Sequence, residues 1–126
     1  MHSGLRSAAA QGLGDALALP GLRIRRGGIP RLGRRGGVYT LDGRLNLAGA
    51  RFKRDFRGVD EEFGGYVSQH YSRAYIHHLL KAKEFLAGTL CTMHNLEFMI
   101  RLVDNIRAAI DAGDYEAYRD EFLGRY

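Results

Sequence analysis

From Ser72 onward the apolar residues of this 126-residue chain fall at helical spacing. Tyr75, Leu79, Ala82 and Phe85 recur every three to four positions, as one buried face of a helix requires. Ser72 is placed to cap that helix, since its hydroxyl can accept an unpaired amide of the first turn. Gly88 is the expected interruption. A longer stripe of Leu90, Met93, Leu96, Ile100, Val103, Ile106 and Ile110 predicts a second helix over 89–112. Gly113 suits the left-handed position that closes a helix, and Asp114 suits the cap of the next. The third predicted helix buries Tyr115, Tyr118, Phe122 and Leu123.

Upstream the pattern changes. Val38 to Leu41 and Arg44 to Leu47 are β-prone runs on either side of Asp42-Gly43, which predicts a hairpin with both turn residues at positive φ. Residues 51–56 read as a charged, extended segment. Residues 60–69, with Asp60-Glu61-Glu62 and Gly64-Gly65, read as poorly ordered. Residues 1–36 have no sustained period beyond a short candidate helix over 7–19, which Pro20-Gly21 would end. The organisation expected is therefore an irregular arm over 1–36 and a folded α+β, mainly helical region over 37–126, built from a hairpin and three helices.

Charge sharpens that division. The arm holds seven arginines against one acid, Asp15, and eight of the 17 glycines. The remainder is close to neutral, so the net charge of +5 sits almost wholly in the arm. Such a segment repels itself and has little apolar surface to bury, so disorder is its default. An arginine-rich arm on phosphates is the functional alternative. Cys91 is the sole cysteine, which excludes an intramolecular disulfide and fits a reducing, cytoplasmic setting. No apolar run reaches the ~20 residues of a membrane span.

Several stretches then converge. Gly43-Arg44-Leu45-Asn46-Leu47, Ala50-Arg51-Phe52, Tyr71 to Leu79, Thr92-Met93-His94-Asn95, Ile106 to Ile110 and Phe122 to Tyr126 occur in the order found in the C-terminal part of the tRNA-guanine transglycosylases. The chain resembles that family over about 31–126. The resemblance implies a piece of a (β/α)8 barrel bearing an inserted zinc subdomain, because 126 residues are too few for a whole barrel of about 250. It also implies a role in guanine exchange in tRNA, in queuosine-type modification, with tRNA as partner.

The family's zinc motif has the form C-x-C-x2-C-x25-H. Its histidine falls on His94, and its cysteines fall on Phe63, Gly65 and Ser68. A structural zinc needs four side-chain ligands, so the frame remains while three donors are missing. Cys91, one turn before His94, with His70 or Glu62, is the replacement set to consider. No cofactor is expected here. The family's nucleophile is an Asp that attacks the ribose. Its position, counted back from the matching arginines Arg31 and Arg34, falls on Arg25, and arginine does not serve as a nucleophile. A truncated or frameshifted gene is one explanation for the change of composition upstream of Arg31.

Three readings follow from the resemblance. The first is the tRNA-contacting C-terminal part of a transglycosylase, inactive alone, with Arg31, Arg34, Lys53 and Arg57 as phosphate contacts. The second is a non-catalytic partner that binds RNA, or docks as a homodimer or on a full-length transglycosylase, through Tyr71, Tyr75 and His78. Those three share one helical stripe, and simple packing against a neighbouring helix is their alternative role. The third is a product without a role.

Overall fold

The computed structural model describes residues 28–125. Helix α1 (Gly28–Arg34) leads into strands β1 (Gly37–Thr40) and β2 (Gly43–Asn46) and a 3-10 turn, Ala50–Phe52. Helices α2 (Tyr66–His70), α3 (Arg73–Lys81), α4 (Phe85–Asp111) and α5 (Tyr115–Arg125) follow. The described fold is thus α+β and mainly helical, with one two-stranded antiparallel sheet. The candidate helix over 7–19 lies outside the described residues.

Helix α4 is the axis, and α1, β1, α2, α3 and α5 all pack on it. One apolar cluster gathers Tyr39, Phe98 and Leu102 with Phe122 of α5, and a second gathers Val38, Leu47, Ile76 and Leu79 with Cys91. Helix α1 belongs to the stretch read as an irregular arm, and it is docked rather than loose. Its Gly33 lies so close to α4 that an added Cβ would sit 2.9 Å from the Thr92 backbone nitrogen. That close approach lets Ile29 and Leu32 join the first cluster, which is apolar burial that period alone does not reveal.

The hairpin forms, but its turn is displaced by one residue. Thr40 pairs with Gly43, so Leu41 and Asp42 are the two turn residues. Gly43 follows at φ 122°, whereas Lys83 is the single described non-glycine residue with positive φ. Asp42 therefore keeps ordinary backbone geometry. The Thr40 hydroxyl holds the turn, donating to the Gly43 carbonyl at 2.6 Å and accepting from the Asp42 amide at 3.3 Å.

Four further expectations are corrected. Residues 51–56 are compact, with the 3-10 turn burying Phe52 against α3 rather than extending. Residues 60–69 are ordered, because the buried Asp60 carboxylate accepts from the amides of Leu41 at 2.7 Å and Phe63 at 3.1 Å. Phe85 lies off the face of α3. That helix is capped by Ser72, whose hydroxyl accepts from the Tyr75 amide, and it ends at Lys81. Lys83 then takes the left-handed conformation at φ 57°, with Lys83 N donating to Leu80 O and Glu84 N to Leu79 O. The chain turns there, α4 starts at Phe85, and Gly88 lies within α4 rather than interrupting it.

The long helix is rolled relative to its predicted stripe. Leu90 and Ile106 are buried, but Met93, Leu96 and Ile100 are 42%, 47% and 63% exposed. His94 and Asn95 take the inner face with Phe98 and Leu102. The end of α4 follows expectation. Gly113 has φ 76°, Gly113 N donates to Ile110 O, and Asp114 N donates to Ala109 O. On α5 only Phe122 is fully buried, while Tyr115, Tyr118 and Leu123 pack partly against the first cluster.

Candidate functional site

The centre of the molecule is where α4 meets the free edge of β1. Asn95 presents its amide to that edge as another strand would. Its Oδ1 accepts from the Tyr39 amide at 2.9 Å, and its Nδ2 donates to the Gly37 carbonyl at 2.9 Å. His94 Nε2 lies 2.7 Å from the Tyr39 carbonyl oxygen. A carbonyl oxygen only accepts, so Nε2 carries the hydrogen and Nδ1 presents a lone pair. That Nδ1 is buried without a hydrogen-bond partner. Burial of His94 pushes its pKa down, against the opposing pull of the Tyr39 carbonyl.

Of the other three positions of the resembled zinc motif, Phe63 lies against the same imidazole. Phe63 sits edge-to-face with the His94 ring at 5.6 Å between centroids. It also packs on Phe98 at 5.3 Å, and the Arg101 guanidinium lies over it at 4.1 Å. Gly65 has no room for a side chain, since an added Cβ would lie 2.7 Å from Phe63 Cε1 and 2.6 Å from a Glu97 oxygen. Ser68 Oγ accepts from the Asp60 amide at 2.9 Å. A phenyl ring, a glycine, an engaged hydroxyl and one imidazole lone pair do not fit tetrahedral zinc, which takes thiolate, imidazole or carboxylate donors.

The replacement donors do not gather there either. Cys91 is fully buried in the second apolar cluster, and burial pushes its thiol up to about 12, so it stays protonated. Glu62 is bound to Arg125, which also holds Asp42 of the hairpin turn. His70 is exposed and its ring packs on Tyr66. Among the described residues no three His, Cys, Asp or Glu side chains form a metal-binding group.

The basic residues divide between elements. Arg31 and Arg34 project from α1 and are exposed. Lys53 is exposed just after the 3-10 turn, which packs on α3. Arg57 is exposed but committed to Asp55, donating from Nε and Nη2 at 2.9 Å each. Arg57 first, and Arg73 after it, hold the Asp55 carboxyl down at about 2. Arg73 also donates to the carbonyls of Gly58 and Val59, fixing the loop that leads to Asp60. Arg25 lies outside the described residues.

Tyr75 and His78 lie on α3, with Tyr71 just ahead of it. The rings of Tyr71 and Tyr75 stack at 5.8 Å and 18°. Tyr71 precedes the helix in extended backbone and packs partly on the second cluster, whereas Tyr75 and His78 are exposed. Four structural residues escape sequence reasoning: Asn95, Asp60, Arg73 and His77, the last buried with Nδ1 2.8 Å from the Leu47 carbonyl. A polar Asn in mid-helix, and an Asp three residues before an aromatic, are the faint signals for the first two. No helix among the described residues is long and apolar enough to cross a membrane.

Comparison with known proteins gives the family. The family model for queuine tRNA-ribosyltransferase matches residues 29–126. A queuine tRNA-ribosyltransferase of Symbiobacterium thermophilum is 46% identical over 96 residues, which are 76% of this chain and 24% of that protein. That of Bacillus subtilis is 44% identical over 96 residues, 76% of this chain and 25% of the relative. That of Clostridium acetobutylicum is 47% identical over 93 residues, 74% and 25% respectively. The chain spans about a quarter of the length of the curated relatives it matches.

Proposed function

The chain belongs to the queuine tRNA-ribosyltransferase family, and from that premise we propose that it is a tRNA-contacting C-terminal part that does not itself exchange guanine. The observation that carries the reading is the engagement of the carboxylates between the hairpin turn and the 60–69 loop. Asp60 is held by two backbone amides, Asp55 by Arg57 and Arg73, and Asp42 and Glu62 by Arg125. A carboxylate that attacks an anomeric carbon must present a free oxygen to the sugar. With Arg25 at the position the resemblance assigns to the nucleophile, no carboxylate stands there. What remains is positioning: Arg31 and Arg34 on α1, with Lys53, neutralise backbone phosphates and read no bases, while Arg57 is already held by Asp55. A reducing, cytoplasmic setting suits the buried thiol of Cys91.

Guanine exchange into cognate tRNA, measured with this chain alone, tests the first half. No exchange above background is expected, and measurable exchange would overturn it. Binding to the same tRNA tests the second half. Arg31→Ala with Arg34→Ala should weaken binding about equally for unrelated tRNAs and flatten its salt dependence by roughly one to two phosphate contacts.

A second reading is favoured by the exposed Tyr75, whose ring stacks on Tyr71. It makes the chain a docking partner, of itself or of a full-length transglycosylase, through Tyr71, Tyr75 and His78. Tyr75→Ala should then weaken association measured by sedimentation. If only stability changes, the face is packing and not an interface.

A further inference from the structure

We infer that the Phe63 ring performs, in this chain, the mechanical task that a structural zinc would perform at the same four positions, so that the 60–70 segment is fastened to α4 by aromatic packing without metal. The inference rests on membership of the family and on the resemblance of the four positions. It does not depend on the tRNA reading.

A structural metal ties a loop to a helix by bonding both. Here the same two parts are tied by other means. The Phe63 ring bridges the loop to His94 and Phe98 of α4, and the Arg101 guanidinium covers its other side. Arg101 also donates to the Phe63 carbonyl at 2.6 Å, and Glu97 accepts from the Tyr66 amide at 3.0 Å. Four residues within two turns of α4, His94, Glu97, Phe98 and Arg101, thus grip the loop.

The positions at 63 and 65 depend on each other. A Cβ at residue 65 would stand 2.7 Å from the Phe63 ring, so the ring requires glycine there. The ring and the missing side chain are two halves of one packing arrangement. Ser68 is drawn into the same segment by the Asp60 amide. The one trace left over is the buried, unpartnered lone pair of His94 Nδ1 beside the ring. A protein organised around hydrogen bonding would have satisfied that atom.

The test uses the full chain. Zinc content is measured by mass spectrometry after purification with and without added zinc, and thermal unfolding is followed with zinc, with chelator and with neither. Well under one zinc per chain and an unchanged Tm are expected. One tightly held zinc per chain, or a Tm that rises with zinc and falls with chelator, would overturn the inference.

Phe63→Leu, which keeps the site apolar, should lower Tm by roughly 5 °C and speed hydrogen exchange at the amides of Val67 to Gln69. An unchanged Tm with unchanged exchange would show that the ring fastens nothing. The converse variant carries Phe63→Cys, Gly65→Cys and Ser68→Cys together. With cobalt it should develop thiolate charge-transfer absorption, and its Tm should become metal-dependent. A folded triple variant that stays colourless would show that the four positions do not share a site, and the inference would fall.

Discussion

The two sides of α4 carry opposite lessons. The side toward β1 holds His94 and Asn95, both fully buried, among Phe98 and Leu102. The opposite side holds Leu86, Met93, Leu96 and Ile100, each at least 40% exposed. The second side offers four large apolar side chains. It is nevertheless the outer one, because β1 has a free edge whose peptide groups must be satisfied once covered. A helix offering only apolar side chains would bury the Tyr39 amide and the Gly37 and Tyr39 carbonyls without partners. At roughly 1–3 kcal/mol for each unsatisfied group, that cost exceeds what rolling three aliphatic side chains into partial exposure forfeits.

The strongest way to break this comparison is to empty the inner face of its polar group. Asn95→Ala removes the partners of both the Tyr39 amide and the Gly37 carbonyl. It should destabilise the chain by roughly 3 kcal/mol, lowering the denaturant midpoint with little change in slope. Asn95→Leu should be no better, although it adds hydrophobicity to a buried position. If Asn95→Leu matched the native stability, the edge of β1 would have found other partners and the account of the roll would be wrong.

The hairpin, the Ser72 cap, the Gly113 stop and the existence of a long final helix pair are legible in the sequence, because each rests on neighbours within four or five residues. The roll of α4 is not legible, since it depends on a strand edge some 55 residues away, reached by His94 and Asn95. The order of the 60–69 loop is hidden for the same reason. Asp60 reads as one acid in an acidic run, and its value lies in reaching the Leu41 amide across the fold. Helix α1 escapes because its burial comes from close approach at Gly33 rather than from a stripe. At the candidate site, His94, Phe63, Gly65 and Ser68 are found through the family resemblance. That Phe63 packs on His94 is visible only in three dimensions.

A smaller effect tests whether charge helps to pin the loop leading to the inner face. The Asp55 carboxyl is held at about 2, against 3.8 for the free group, by Arg57 chiefly and by Arg73. The folded-state value is the lower one, so the stability from this carboxylate is complete above pH ~4. It is lost as pH falls from there toward about 2, where the unfolded chain binds a proton that the folded chain does not. Stability measured across that window should fall in the native chain by on the order of 1 kcal/mol more than in Asp55→Asn. Equal slopes would mean that the Asp55–Arg57–Arg73 group is only a solvated surface arrangement.

The smallest expected effect belongs to the outer face, and its smallness is the point. Ile100 is 63% exposed. Ile100→Gln should therefore change the stability of the monomeric chain by no more than about 0.5 kcal/mol, as ordinary surface positions do. A buried isoleucine so replaced would cost several times that, since it would lose the transfer energy of its side chain and bury an amide. The contrast with Asn95→Leu is then inverted from what hydropathy suggests: the apolar-to-polar change is neutral and the polar-to-apolar change is damaging. A loss above ~1.5 kcal/mol on Ile100→Gln that depends on protein concentration would show the outer face covered by another molecule in solution. A loss of that size independent of concentration would place Ile100 inside the core, and the rolled α4 would have to be turned back toward its predicted stripe.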